Sequence, residues 1–418
     1  MTSKKKPLIL PFAGLRPAAG RAGDVAAPPY DVLNTEEARL RAAGKEWSFL
    51  HVSKPEIDLP PGTDPYALPV YEKGRENFLR MVTERVLVRD NSDFFYLYGL
   101  TMGDHSQIGL VATASVAAYD ENRIRKHEFT RPDKEDDRVH HVDILNAQTG
   151  PVFLTYRHSD KVDRLVAEIT ATKAEVDISA DDNVRHTLWV VKDDERVQAL
   201  AEAFNAMDFL YIADGHHRSA AASRVAARRA AANPEHCGHE RYNYFLSVIF
   251  PDNQTCILDY NRVVRDLNGL SEEAFLKAVS ERFQLKEENS PVKPATAGEF
   301  GMYMGGSWYR LQVNTGLVPV NDPVKRLDVS LLSDNLIEPI LDISDPRRDK
   351  RIDFVGGIRG LKELERRVDS GEMKVAFSLF PTSLEALMAV ADAGQVMPPK
   401  STWFEPKLAD GLVSHVLD

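Results

Sequence analysis

The chain has 418 residues, 43% hydrophobic and 28% charged, and is long enough for two or three compact units. Its formal net charge of −11 argues against a broad nucleic-acid-binding surface, which needs a basic face. The two cysteines, Cys237 and Cys256, form no CxxC pair, so a disulfide framework or a thiolate zinc site is not expected and the reducing cytoplasm fits best.

The N-terminal stretch MTSKKKPLILPFAGLRP combines three lysines with a short apolar run. Pro7, Pro11 and Arg16 interrupt that run, and no later segment approaches the length of a membrane span. We interpret the stretch as a strand that enters the fold, and we expect no membrane partner.

Strand-like and helical patterns alternate along the rest of the chain. Helices are predicted near residues 35–43, 71–84, 161–172, 195–204, 218–232, 327–341, 358–369 and 383–393. Strands are predicted near residues 94–98, 107–119, 151–156, 186–191, 209–213, 244–250, 255–260 and 374–380. The alternation predicts an α/β (mixed α+β) fold, with mixed sheets and flanking helices. Residues 289–297 are a weak boundary between an N-terminal and central unit (1–290) and a C-terminal unit (291–418), unless the chain is one continuous unit.

Residues 124–150 are highly polar and read IRKHEFTRPDKEDDRVHHVDILNAQTG. The proline between Arg131 and Asp133 favours a loop over a solvated helix. Four cations of this segment could surround a polyphosphate: Lys126, Arg131, Lys134 and Arg138. Two carboxylates, Glu128 and Asp137, could bind Mg²⁺ or act as a base. His127 either orients Glu128 or is a surface histidine.

The sequence DGHHR, Asp214 to Arg218, follows an apolar run and precedes an alanine-rich one, an order typical of strand, turn and helix start. A helix N-terminus attracts anions, Gly215 permits close backbone approach, and the Arg218 guanidinium suits phosphate. Asp214 could bind Mg²⁺ or accept a proton from a hydroxyl nucleophile. His216 and His217 point in different directions, so this pair alone is not expected to bind a metal. Alternatively, Asp214 caps the helix and the histidines satisfy neighbouring backbone groups.

The C-terminal motif MPPKSTWFEPKL places a cation and two hydroxyls after a rigid turn. Lys400, Ser401 and Thr402 are candidates for contact with a phosphate or a substrate carboxylate. Tyr30 and Asp31, which follow two prolines, could line the same cleft. The aromatic residues of the motif are expected to pack into the core.

Two resemblances connect these motifs to known families. Gly215, Arg218 and Ala221 reproduce the GxxRxxA signature of the ParB and sulfiredoxin-like superfamily, whose segment binds nucleotide phosphates. Over nearly the whole chain, the order of PFAGLRP, APPYDVL, KHExTxPxKxxDR, NVRHTLW, YIADGHHR, LDVSLL and MPPKSTWFEPKL resembles the bacterial domain-of-unknown-function family 1015. Together they imply a ParB/sulfiredoxin-like nucleotide-binding core and a free-serine kinase activity.

The leading hypothesis is a Mg²⁺-dependent phosphotransferase that acts on a small hydroxy amino acid, L-serine first, with ATP or ADP as donor. Gly215, His216, His217 and Arg218 would hold the donor phosphates, and Asp214 or Glu128 would accept the hydroxyl proton. One alternative is a phosphomonoester phosphatase, for example on O-phosphoserine, although no DxDxT or RHG motif is present. Another is a non-catalytic nucleotide-binding regulatory protein, against which the net charge argues. An oligomer is possible.

Overall fold

The computed structural model describes residues 6–418, which fall into two compact units. The first unit contains the described residues up to Thr255 together with Pro406–Asp418, and the second contains Cys256–Glu405. Both units combine helices with sheets, which confirms the predicted mixed α+β class. Among residues 6–418, no helix has both the length and the apolar character needed to cross a bilayer.

The first unit begins with twelve strands in chain order. These are β1 (Ile9–Leu10), β2 (Leu15–Pro17), β3 (Leu87–Arg89), β4 (Phe95–Met102), β5 (His105–Ser115), β6 (Ile124–Arg125), β7 (Ala147–Gln148), β8 (Val152–Tyr156), β9 (Val176–Ser179), β10 (Arg185–Val191), β11 (Leu210–Asp214) and β12 (Tyr244–Pro251). Its helices are α1 (Ala22–Val25), α2 (Thr35–Ala42), α3 (Leu50–Ser53), α4 (Leu68–Thr83), α5 (Val116–Asp120), α6 (Pro132–Leu145), α7 (Asp160–Thr170), α8 (Asp194–Asn205) and α9 (His216–Ala232).

A nine-stranded mixed sheet organises this unit, in the order β6-β11-β8-β12-β5-β4-β10-β9, with β1 also paired to β5. The β8–β12 and β6–β11 pairs are parallel, and the other pairs are antiparallel. Every residue of β8 is buried, as is typical of a strand covered on both faces. The small side chains Ala221 and Ala222 are fully buried, which lets α9 pack closely on the sheet core. The sheet therefore fixes where β11 ends and α9 begins.

The polar segment around Pro132 forms helix α6, so the prediction of a loop was wrong. Pro132 occupies the first helical position, where the missing N–H has no partner to lose and the fixed φ suits a helix. Helix α6 ends at Asn146, which adopts a left-handed conformation with φ of 54°. The helix packs against α4 and α9, and this brings the charged segment beside the DGHHR turn.

The second unit contains eight strands: β13 (Cys256–Leu258), β14 (Tyr260–Val264), β15 (Phe283–Glu288), β16 (Glu299–Met304), β17 (Ser307–Val313), β18 (Ile352–Gly356), β19 (Val375–Leu379) and β20 (Trp403–Glu405). Its helices are α10 (Glu272–Ser280), α11 (Asp328–Leu332), α12 (Leu361–Asp369) and α13 (Leu384–Asp392). An antiparallel sheet runs in the order β15-β17-β16-β19-β14-β18, and β13 pairs with β20. The boundary suggested near residues 289–297 lies inside this unit, between β15 and β16 of one sheet. The helix predicted over 327–341 is shorter, because α11 gives way to a π-helical turn at Ser333–Ile337.

After β20 the chain returns to the first unit. Its last strand, β21 (His415–Val416), pairs with β7, and Asp410 forms a bridge with Ala27. The tail therefore delivers side chains from the end of the sequence to the first unit.

Candidate active site

The turn between β11 and α9 depends on Gly215. Its φ of 99° lies in the left-handed region, and no side chain caps the helix that follows. A Cβ on Gly215 would lie 3.1 Å from Nε of Arg218 and 3.3 Å from Cα of Val152. The glycine thus lets the first turn of α9 fold back tightly, and its own backbone N–H donates to Oδ1 of Asp214 over 2.8 Å.

Two histidines of this turn accept hydrogen bonds from the charged segment. The backbone N–H of His127 donates to Nε2 of His216 over 3.4 Å, and the backbone N–H of Arg131 donates to Nε2 of His217 over 3.0 Å. The two segments therefore lie side by side. These contacts agree with the alternative in which the histidines satisfy neighbouring backbone groups.

A small cavity of about 30 Å³ lies between α6, α9 and the C-terminal tail. Charged and polar residues that line it include Tyr30, Arg138, His141, Arg218 and Asp410. The side chains of Arg138 and Arg218 are each only 11% exposed. Two largely buried guanidinium groups on one small pocket are a strong attraction for an anion.

Each guanidinium is held in place by the protein. Arg138 pairs with Asp137 at 2.8 Å and lies 3.9 Å from the centre of the Tyr30 ring. Arg218 donates to the Pro151 carbonyl and has Asp214 at 3.8 Å. A guanidinium carries five N–H donors, so both arginines keep donors for a ligand.

The pKa values of two carboxylates of the site, Asp214 and Asp410, are shifted in opposite directions. Burial would raise the pKa of Asp214, but the charges of Lys407 and Arg218 outweigh burial and lower that pKa to about 2. Lys407 Nζ lies 3.7 Å from the Asp214 carboxylate. For Asp410, burial dominates over the charge of Arg218 and raises the pKa to about 7. Asp214 is therefore ionised at neutral pH, whereas Asp410 is poised between its two forms.

Among the described residues, one group of three side chains could hold a metal ion: His127, Glu128 and His216. Their potential ligand atoms all lie within 4.8 Å of one another. The imidazole rings of His127 and His216 meet edge to face, with centroids 4.5 Å apart. Burial lowers the pKa of His127 to about 4, and burial together with His127 lowers the pKa of His216 well below its ordinary value. Both imidazoles are therefore neutral at physiological pH.

The family described as "Protein of unknown function (DUF1015)" matches residues 9–330, which is most of the chain. The chain belongs to the DUF1015 family. This result confirms the family resemblance given by the ordered motifs. No curated protein matched the sequence.

Several solved structures share a remote likeness with this DUF1015 protein. "SbnI with C-terminal truncation from Staphylococcus aureus" has 11% identity and a TM-score of 0.38, over 71% of this chain and 84% of that chain. A conserved hypothetical protein from Pyrococcus furiosus has 15% identity and a TM-score of 0.35, over 72% and 94%. "Free serine kinase in complex with AMP" has 13% identity and a TM-score of 0.35, over 70% and 86%.

Other predicted phosphate ligands of the DUF1015 chain have local partners. The Lys126 ammonium lies 3.8 Å from the centre of the Tyr119 ring, and burial lowers its pKa. Arg131 pairs with Asp133 at 2.8 Å. Lys134 donates to the Tyr66 hydroxyl over 2.5 Å. These three cations are not among the residues that line the pocket, whereas Arg138 and Arg218 are.

The three carboxylates predicted to bind metal do not share one position. Asp137 is buried, accepts a hydrogen bond from the Tyr71 hydroxyl at 2.9 Å and pairs with Arg138. Asp214 lies between two cations, and Glu128 belongs to the histidine cluster. An all-oxygen Mg²⁺ cage built from Asp214, Glu128 and Asp137 is therefore absent from the described residues.

The substrate-binding candidates lie in different units. Tyr30 lines the pocket, and Asp31 is exposed. Burial is the largest cause that raises the pKa of Tyr30 to about 12, and the charge of Asp31 acts in the same direction. Lys400, Ser401 and Thr402 belong to the second unit. There the Ser401 hydroxyl donates to the Pro398 carbonyl over 2.6 Å, and Arg262 donates to the Lys400 carbonyl over 2.9 Å. Substrate contact by these three residues stays a prediction.

Sequence reasoning assigned no role to two residues of the site, Lys407 and Asp410. Lys407 belongs to the motif MPPKSTWFEPKL, in which the rigid turn indicates Lys400 as the candidate ligand and nothing local distinguishes Lys407. Asp410 lies just after it in ADG, and a lone acidic residue before glycine usually indicates a turn. The position of both residues depends on the pairing of the C-terminal tail with the first unit.

Proposed function

We propose that this protein is a phosphotransferase that binds the phosphates of ATP or ADP at the N-terminus of α9. The observation that carries the proposal is the convergence of Arg138 and Arg218 on one pocket beside an uncapped helix start. Buried guanidinium groups and a helix N-terminus both favour an oxyanion, and the transfer of a phosphoryl group needs positioning and charge neutralisation above all.

The GxxRxxA spacing supports a ParB/sulfiredoxin-like nucleotide core, since each of its residues has a physical task here. Gly215 permits the tight turn, which lays Arg218 against the turn itself. Ala221 is fully buried and allows α9 to approach the sheet. The signature therefore sets the position of the arginine relative to the helix start.

The proposed acceptor is the hydroxyl of a small amino acid, with L-serine as the first candidate, because the family resemblance implies it. The hydroxyl oxygen forms a bond to the terminal phosphorus of the donor, and the bond from that phosphorus to the bridging oxygen breaks. The hydroxyl proton passes to a carboxylate, for which Asp214 and Glu128 are the candidates. The pKa of about 2 makes Asp214 a weak base, and this suits a loose transition state in which proton transfer is late.

Mg²⁺ fits the proposal as a companion of the nucleotide, where it would neutralise phosphate charge. Such an ion usually takes one or two protein carboxylates and leaves the rest of its shell to phosphates and water. Asp214 is an ionised carboxylate beside the helix start and could serve as one of them. Asp137 is committed to Arg138 and Tyr71.

The test is to incubate the full chain with Mg²⁺, a nucleotide panel and L-serine, and to detect O-phosphoserine by mass spectrometry. The Asp214→Asn variant should bind nucleotide like the parent and lose at least about 100-fold in turnover. Asp194→Asn, on an exposed acid in the first turn of α8, is the matched control and should keep full activity. Unchanged turnover in Asp214→Asn would refute its assignment. Release of phosphate from O-phosphoserine without nucleotide would instead favour the phosphatase alternative.

A further inference from the structure

A nitrogen-rich cluster lies next to the proposed phosphate site. It comprises His127 and Glu128 before α6 and His216 at the start of α9. Nδ1 of His216 is 3.7 Å from Oε2 of Glu128, and the candidate ligand atoms of all three residues lie within 4.8 Å of one another.

One ring nitrogen of this cluster has no hydrogen-bond partner in the described part of the chain. Nδ1 of His127 is buried without a partner, and the whole residue is only 2% exposed. An orphaned buried polar atom is costly, and native proteins normally satisfy it with a side chain, a water molecule or a metal ion. The neighbouring imidazole and carboxylate make a metal ion the chemically matched partner.

The kind of metal follows from the donor atoms. Two imidazole nitrogens and one carboxylate oxygen form a set that suits Zn²⁺, Co²⁺ or another first-row transition metal, whereas Mg²⁺ prefers oxygen ligands. Three protein ligands also leave a coordination position open, as in catalytic rather than structural zinc sites. We propose that His127, Glu128 and His216 bind one first-row transition-metal ion with an open position.

The ligand atoms, which lie within 4.8 Å of one another, have to move closer together to share one ion. Metal–ligand bonds of about 2.0–2.1 Å place tetrahedral ligand atoms about 3.3 Å apart, close to the 3.7 Å between His216 and Glu128. The Glu128 side chain is 48% exposed and can move toward the ion. Ligation through Nδ1 needs the His216 tautomer with its proton on Nε2, so the long 3.4 Å hydrogen bond from the His127 backbone N–H to Nε2 is given up when the ion binds. His217 is not part of the set, because its Nε2 accepts from Arg131.

The proposal does not depend on the phosphotransferase function, since metal binding can be measured without nucleotide. The full chain is freed of metal with a chelator and titrated with Co²⁺, and the visible absorption of the bound ion reports its coordination. One equivalent should bind with the spectrum of a four- or five-coordinate site, Zn²⁺ should displace it, and a large excess of Mg²⁺ should not.

Two variants test the ligands. Glu128→Gln alters a half-exposed side chain, and it should weaken Co²⁺ binding by at least about 10-fold. His127→Ala should weaken it by more than about 100-fold. His140→Ala, on an exposed histidine of α6, is the matched control and should bind like the parent. Thermal melting establishes that each variant is folded. Parent-like Co²⁺ binding by folded Glu128→Gln, or a parent that prefers Mg²⁺, would overturn the proposal.

Discussion

Replacement of Gly215 by alanine tests whether the turn geometry holds Arg218 in the pocket. The new Cβ would lie 3.1 Å from Nε and 3.3 Å from Cζ of Arg218, and 3.3 Å from the backbone of Val152. The backbone of Val152 belongs to a buried strand and cannot give way easily. We therefore expect the arginine to move rather than the sheet.

The magnitude follows from two contributions. Positive φ costs an L-residue about 1–2 kcal/mol, and crowding against Arg218 and Val152 adds about 1–3 kcal/mol. Gly215→Ala should therefore lower the free energy of unfolding by about 2–5 kcal/mol. Loss of the charge-assisted contact from Arg218 should weaken nucleotide binding about 10- to 100-fold.

The matched control is Gly238→Ala in the same unit. Gly238 has φ of 89°, but a Cβ there would meet nothing within 4 Å. It should show the backbone cost of about 1–2 kcal/mol with no change in nucleotide affinity. Denaturant unfolding and calorimetric titration with ADP measure both quantities. Equal stability and equal affinity in the two variants would refute the role given to Gly215.

Two further substitutions test the pocket. Arg138→Lys keeps the charge but loses the planar fork stacked on Tyr30, so ADP affinity measured by calorimetry should fall about 10-fold; an unchanged affinity would remove Arg138 from the phosphate site. Burial raises the pKa of Asp410 to about 7 from an ordinary value of 3.8, so the protonated form is the stable one in the folded state and wild-type stability declines as pH rises through this interval. The free energy of unfolding of Asp410→Asn, measured with urea, should accordingly rise by up to about 4 kcal/mol relative to that of the parent between pH of about 4 and pH of about 8. A difference that does not depend on pH would contradict the assignment.

Local signals made part of the site predictable. The apolar run, the glycine and the alanine-rich segment predicted a strand, a turn and a helix, and the structure has β11, Gly215 and α9 in that order. The helix begins at His216, two residues earlier than expected, because Gly215 takes the left-handed conformation in place of a side-chain cap.

The charged segment was harder to predict, because Pro132 is compatible with both a loop and the start of a helix. Pro132 disrupts a helix interior, but at the first helical position it is favourable, and the sequence does not say which position it occupies. The contact of His127 with His216 follows from the packing of α6 on α9, which no local pattern encodes.

The remaining residues of the site and the division of the chain depend on long-range topology. The positions of Lys407 and Asp410 depend on a tail that leaves the second unit and pairs with the first, and short motifs carry no signal of such a return. The same pairing explains why the division of the chain is discontinuous. A boundary chosen from composition near residues 289–297 separates strands that share one sheet.

The most direct test of the central claim is calorimetric titration of ADP into the parent, Arg218→Ala and Arg224→Ala. Arg224 lies on the same helix, half-exposed, and pairs with Asp136 at 2.6 Å, so it controls for a change of charge on α9. We expect the affinity to fall about 10- to 100-fold in Arg218→Ala and to stay within about 2-fold in Arg224→Ala. Equal affinities in all three proteins, or no binding by the folded parent, would contradict a phosphate site at the start of α9.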